Sequence, residues 1–118
     1  MGINWTTDQK HAIECRKGSV LVSAAAGSGK TAVLVERVIR RLTDKENPCS
    51  AEDLLIVTFT RAASADMREK LRRRFSERAA QGDARAREQA ERLESASIST
   101  LHSFCTSVLR QNFEAAGV

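Results

Sequence analysis

The stretch Ser23-Ala24-Ala25-Ala26-Gly27-Ser28-Gly29-Lys30-Thr31 decides how this chain is read. It follows a short β-branched run, Ser19-Val20-Leu21-Val22, and it opens an amphipathic segment, Ala32 to Leu42. A strand, a small-residue loop and Lys-Thr at a helix start form the arrangement that a triphosphate cradle needs. Gly27 and Gly29 lack a Cβ, so the loop turns tightly and aims successive backbone N–H groups at phosphate oxygens. The helix start adds unpaired donors and a partial positive charge. Lys30 then sets its ammonium between the β- and γ-phosphates, and the Thr31 hydroxyl completes the shell of a Mg²⁺ ion. The general pattern G-x-x-x-x-G-K-[ST] begins here with Ala24, a small residue that still fits. A chance Gly-Ser-rich turn between strand and helix is the alternative.

Around this loop, 118 residues supply one domain at most, with a modest core. A formal charge of +4 favours a polyanionic partner. Cys15, Cys49 and Cys105 are widely spaced, odd in number and in no metal-ligand pattern. They read as reduced thiols of a cytoplasmic protein, with Cys105 in the core. No run approaches membrane-spanning length, and the opening residues lack an apolar targeting core, so no membrane partner is expected. Met1-Gly2 with Thr6 fits a myristoylation pattern, but nothing else suggests an anchor.

Along the chain, Thr6-Thr7-Asp8-Gln9 precedes a helix with Ala12 and Ile13 on one face and Gly18 closing it. Thr6 and Gln9 are spaced as a capping box; alternatively, Gln9 turns its amide to the edge of adenine. Trp5 is either a staple onto this helix or a platform beside the base. In the next helix Leu34, Val35, Val38, Ile39 and Leu42 face inward, while Glu36, Arg37, Arg40 and Arg41 face outward. Residues 43–53 read as a surface loop around Pro48, and Leu54 to Phe59 as a strand covered on both faces.

Thr60 caps a long helix, Arg61 to Ala80, with Ala63, Met67, Leu71 and Phe75 inward and a basic outer face interleaved with Asp66, Glu69 and Glu77. Gln81-Gly82-Asp83 breaks it. Ala84 to Leu93 reads as a polar, exposed excursion, and Ala96 to Ser99 as a short strand. A last helix starts near Thr100 with Leu101, Phe104, Cys105, Val108 and Leu109 inward. Alternating strands and helices predict an α/β fold with a parallel sheet, right-handed crossovers and the phosphate loop at the carboxyl end of the first strand.

Four segments, taken together, resemble the UvrD-like superfamily-one DNA helicases. They are the glutamine motif Trp5-Thr6-Thr7-Asp8-Gln9, the loop Ala24 to Thr31, the stretch Thr58-Phe59-Thr60-Arg61-Ala62-Ala63-Ser64-Ala65-Asp66-Met67-Arg68, and Ser99-Thr100-Leu101-His102-Ser103-Phe104-Cys105. The family commonly has Ala where the general loop pattern has its first Gly. The wording of V-S-A-A-A-G-S-G-K-T and S-T-L-H-S-F-C is closest to the family's helicase–nuclease subunits. The resemblance implies a P-loop NTPase fold, with residues 1–118 as the N-terminal part of the first RecA-like ATP-binding helicase domain. It implies ATP and Mg²⁺ as cofactors, with Gln9 and the loop residues Ala24, Ala25, Ala26, Gly27, Ser28, Gly29, Lys30 and Thr31 holding nucleotide. Lys30 and Thr31 are then catalytic and Thr31 is the metal ligand.

Phe59, Thr60 and Arg61, with Thr100 and His102, would touch single-stranded DNA, Phe59 by stacking without reading sequence. Core packing is the other reading of Phe59. Arg61-Ala62 departs from the polar pair that the family usually has after the Thr of the third motif, so the phosphate contact there differs in detail. The implied activity is 3′-to-5′ unwinding of duplex DNA in break repair and recombination, alongside a second, AddB-like helicase/nuclease subunit. No strand ends in the adjacent Asp-Glu that positions the attacking water, and neither a second motor domain nor a nuclease domain is recognisable. The chain therefore reads as an N-terminal portion, expected to bind nucleotide weakly and not to unwind DNA alone. The competing functions are a small-molecule P-loop kinase and an ATP-independent nucleic-acid-binding module. An acceptor pocket would mark the first, and salt-sensitive binding without ATP the second.

Overall fold

The computed structural model describes residues 4–23 and 29–117. Six helices and two strands follow in the order α1 (Thr7–Glu14), α2 (Lys30–Leu42), β1 (Leu55–Thr58), α3 (Arg61–Ala80), α4 (Ala84–Arg92), β2 (Ser97–Thr100), α5 (Leu101–Gln111) and α6 (Phe113–Ala116). The strands pair in parallel, with Leu55 opposite Ser97, Ile56 opposite Ile98 and Thr58 opposite Thr100. The fold is helix-rich, with one small parallel sheet, and is compatible with the α/β class.

Helix α3 shows how sequence sets its bounds. Thr60 Oγ1 accepts from the Ala63 N–H at 3.0 Å and so caps the start. Met67, Leu71 and Phe75, four residues apart, form the buried stripe. Gly82, at φ +96°, ends the run in a conformation that side chains with a Cβ rarely adopt. Asp83 Oδ1 then accepts from the Ala86 N–H at 3.0 Å and starts α4.

The core lies between α2, α3, α4 and one face of the sheet. Val35, Val38, Ile39 and Leu42 of α2 meet Met67, Leu71 and Phe75 of α3, with Ile56 and Ile98 beneath. Ala86 and Leu93 close it from the α4 side. A smaller cluster joins Ala12 and Ile13 of α1 to Val33 of α2, with Trp5 packed on it. Trp5 is therefore not a staple onto its own helix, where the matching position is Lys10; it bridges to α2, beside Ala32 and Val35. Helix α1 is tied to α2 by Arg37, whose Nη1 donates to the carbonyls of Ala12 and Cys15, and by an Arg40–Glu14 ion pair.

Several expectations are corrected. Residues 19–23 form no strand: they take no regular structure, and Leu21 is 93 % exposed. A β-branched run becomes a strand only where a neighbour offers a hydrogen-bond ladder, and β1 and β2 pair with each other. β1 is covered on one face only. Ile56 is buried against α3, but Leu55 and Val57 face outward, with no layer over them among the described residues.

Helix α4 is no excursion. Arg85 donates to the carbonyls of Leu42 and Cys49, and buried Gln89 accepts the Ala51 N–H at 2.7 Å. Within α2, Glu36 and Val33 are buried while Leu34 is exposed; in α3, Ser64 takes the inward place expected of Ala63. α5 buries none of its side chains fully: Leu101, Val108 and Leu109 are exposed, and so is Cys105, expected in the core. Helix α1 ends at Glu14, before Gly18. Among the described residues no helix is long and apolar enough to cross a membrane.

Candidate functional site

Two groups of residues gather at helix starts. The first surrounds the start of α2. Ala24 to Ser28, the heart of the expected phosphate loop, lie outside the described residues. Gly29, Lys30 and Thr31 are described and exposed. Gly29 is the N-cap of α2 at φ +87°, left-handed backbone that suits glycine, and no side chain caps this helix start. The capping box of α1 is present: Gln9 N–H donates to Thr6 Oγ1 at 3.2 Å, and Thr6 N–H donates to Gln9 Oε1 at 2.9 Å. The far end of the same amide lies near the loop, since Gln9 Nε2 is 3.6 Å from where a Cβ on Gly29 would stand. Gln9 therefore caps α1 with its oxygen and turns its nitrogen toward the start of α2.

These residues fit the phosphates of a nucleotide. First-turn N–H groups without a side-chain cap, an exposed ammonium and an exposed hydroxyl are the donor set that such a group requires. α2 has no acidic residue in its first turn to cancel the dipole.

The second group forms where β1 and β2 end together. Because Thr58 is the register partner of Thr100, the segment after β1 lies beside the segment after β2. Phe59, Arg61, Thr100 and His102 line one cleft, with Thr58 and Leu101. Phe59 is 97 % exposed and takes no part in the core, so core packing does not account for it. Arg61 and His102 are exposed and make no ion pair or side-chain hydrogen bond among the described residues.

Thr60 and Thr100 serve as N-caps. The Thr60 hydroxyl oxygen holds the Ala63 N–H; Thr100 Oγ1 accepts from Ser103 N–H at 3.1 Å and donates to Ser103 Oγ at 2.9 Å. Both caps point helix N-termini at the cleft, and neither α3 nor α5 has an acid in its first turn. α1, by contrast, carries Asp8 there. The cleft thus combines an aromatic face, a free guanidinium and two uncompensated helix dipoles, a combination suited to a phosphorylated ligand with bases.

Sequence reasoning misses Thr58. Its hydroxyl donates to the Thr60 carbonyl at 2.9 Å and receives a hydrogen bond from Ser64 Oγ, which fixes the turn that exposes Phe59. A hydroxyl at the last strand position, two residues before a capping Thr, is the only signal for it.

Most of the basic face of α3 is occupied. Arg68 donates to the carbonyls of Ile98 and Leu93, Lys70 pairs with Asp66, Arg72 with Glu69 and Glu94, and Arg78 with Asp83. Arg74 reaches Glu77 and also buried Glu36 of α2, at 2.7 Å, while Arg40 holds the other Glu36 oxygen at 3.1 Å. Burial pushes the Glu36 carboxyl up, but hydrogen bonds and charge from Arg74 and Arg40 outweigh it and hold it below its ordinary value. This pair braces the helix that begins at Lys30 against the helix that begins at Arg61.

Comparison with known proteins agrees with this layout. Residues 5–118 match the family model described as the UvrD/REP helicase N-terminal domain. The chain is 49 % identical over 116 residues to AddA, the ATP-dependent helicase/nuclease subunit of Acetivibrio thermocellus, covering 97 % of this chain and 9 % of that protein. It is 50 % identical over 122 aligned positions to the protein of the same name from Pelotomaculum thermopropionicum, covering 100 % of this chain and 10 % of that protein. For the Clostridium perfringens strain 13 protein of that name, identity is 49 % over 116 residues, with 96 % and 9 % covered. The chain thus spans about a tenth of the length of these relatives. A match that runs from Trp5, through both helix-start sites, to the last residue leaves little of the chain outside it, and the chain belongs to the UvrD/REP helicase family.

Proposed function

We propose that residues 1–118 are the N-terminal part of the first RecA-like, P-loop ATP-binding domain of an ATP-dependent DNA helicase moving 3′ to 5′. The observation that carries this reading is the cleft at the paired ends of β1 and β2, where Phe59, Arg61 and His102 stand free. The Gln9–Gly29 approach and the helix start at Lys30 support the nucleotide half of it.

In this reading Lys30 binds the β- and γ-phosphates as a mobile point charge. Thr31 offers a hydroxyl oxygen to the metal. Gln9, its oxygen already engaged by Thr6, presents Nε2 as a donor to the base. When bound, Mg·ATP supplies the phosphoryl group, and the metal neutralises charge on it. Phe59 stacks on a base of the strand, and Arg61 and His102 hold its backbone. Ala24 to Ser28 complete the nucleotide site through their amides.

The relatives are named as ATP-dependent helicase/nuclease subunits of the AddA type. By extension we assign the protein to DNA break repair and recombination, acting on single-stranded and duplex DNA with an AddB-like second subunit. The 118 residues alone bind nucleotide weakly and turn it over little. The test is a titration of Mg·ATP followed by the fluorescence of Trp5, which packs between α1 and α2. Saturable quenching that disappears in Lys30→Ala supports the reading. Equal response in both proteins refutes Lys30 as a phosphate ligand, and acceptor-dependent phosphoryl transfer to a small molecule would refute the helicase assignment.

A further inference from the structure

Beyond His102, α5 continues for two more turns, and its polar residues are not scattered. His102, Thr106 and Arg110 recur every four residues, and Gln111 lies beside them, so all four share one side of the helix. With Arg61 they line a single open cleft that adjoins the one holding Phe59. Thr106 Oγ1 donates to the His102 carbonyl at 3.0 Å and keeps its lone pairs outward. Arg61 and Arg110 are exposed and have no carboxylate partner among the described residues, although most arginines of α3 do. α5 contains no Asp or Glu at all. From His102 to Arg110 the row is about 12 Å long, room for roughly three nucleotides of a stacked strand at ~3.4 Å each.

We propose that this face of α5 is a second phosphate-binding row, on which the chain holds the backbone of a single DNA strand as it leaves the Phe59 cleft, with Arg110 as its far anchor. The inference rests on the reading of Phe59 and Arg61 given above and extends it to residues outside the four motifs. The lining is hydroxyl, amide and cationic, with no apolar side chain for a protein partner to cover. The row is elongated and open on one side, which suits a polymer of phosphates better than one small anion.

The test is fluorescence anisotropy of labelled oligo-dT, with about 4 and about 12 nucleotides, at several salt concentrations. On the long oligonucleotide, Arg110→Ala binds several-fold more weakly, and the slope of log K against log[salt] falls in magnitude by about 0.7, one phosphate on a single strand. Arg110→Lys keeps that slope, and the short oligonucleotide, held at Phe59, does not distinguish the three proteins. An unchanged slope for Arg110→Ala on the long strand overturns the proposal. Phe59→Ala separates the two readings, because it weakens both lengths if the Phe59 cleft holds DNA. If Phe59→Ala has no effect while Arg110→Ala does, the reading of Phe59 fails and the row on α5 stands. Failure of the unmodified chain to bind either strand overturns both.

Discussion

Replacing Glu36 tests the brace between α2 and α3. The residue keeps only 7 % of its surface exposed, and its two oxygens each hold a guanidinium. Removing one partner of a fully buried ion pair costs about 3–5 kcal/mol, mostly because the other charge is stranded. Here the stranded charges are Arg40 and Arg74, whose side chains are 35 % and 34 % exposed. Both rehydrate readily, and Arg74 keeps Glu77 while Arg40 keeps Glu14. That discount brings the expected loss for Glu36→Ala to about 1.5–3 kcal/mol. For a chain of this size it lowers the thermal midpoint by roughly 5–15 °C. Glu36→Gln falls between, since it keeps one acceptor but turns an NH₂ toward an arginine.

The same brace has a pH signature. Arg74 and Arg40 hold the folded Glu36 carboxyl below its ordinary value of 4.5, so the unfolded chain binds that proton more readily than the folded one. Its stabilisation is complete above the unfolded value and is lost as pH falls through the lowered folded value. Urea unfolding of wild type and Glu36→Gln should therefore show a gap at pH 7 that closes in strong acid. Two outcomes refute the reasoning: a gap under about 0.5 kcal/mol at pH 7, within the range of ordinary surface substitutions, or a gap that persists unchanged in acid.

Three further substitutions have defined outcomes. Gln9→Glu keeps an acceptor for the Thr6 N–H, and so keeps the capping box, but removes the Nε2 donor; α1 should stay intact by circular dichroism while the preference for ATP over GTP in Trp5 titrations falls. Gln89→Leu leaves the Ala51 N–H without its acceptor, which should cost about 1–3 kcal/mol in urea unfolding; a smaller loss would mean that the orphaned Nε2 of Gln89 already cancels much of its value. Phe59→Ala, at a ring that touches nothing in the core, should leave stability within about 0.5 kcal/mol yet cost single-strand binding about 1–3 kcal/mol, read by anisotropy.

The elements most legible in the sequence are those that carry their own boundary chemistry. α3 has Thr60 at one end, Gly82 beyond the other and a four-residue apolar repeat between, and it begins and ends where these place it. α1 is likewise written in Thr6 and Gln9. Readings that fail depend on partners far along the chain. Glu36 looks like a surface charge until Arg74, 38 positions later, is brought against it. α4 looks unanchored because its anchors are an alanine, an amide and arginines bonding to distant carbonyls rather than large apolar residues. The run Val20 to Val22 has the composition of a strand, but composition supplies no neighbour to pair with. For the site, both capping threonines are readable locally. That Phe59 and His102 share a cleft is not, because it follows from the register of Thr58 with Thr100.

Exposed apolar side chains in this chain have two different physical causes, and the surroundings of each tell them apart. Leu55 and Val57 lie on the open face of β1, with β2 contributing only Ser97 and Ser99 beside them. No helix start or free cation accompanies them, and their exposure is what a one-sided sheet produces. Phe59 and Leu101 stand instead just past the strand ends, beside Arg61 and His102 and between two helix N-termini that carry no acid. A ring placed only to be buried has no need of that setting, and uncompensated positive potential disfavours nothing apolar but strongly favours phosphate. Apolar surface and anion-seeking surface thus coincide at one point of the fold, and a stacked base on a phosphate backbone is the chemistry that satisfies both at once.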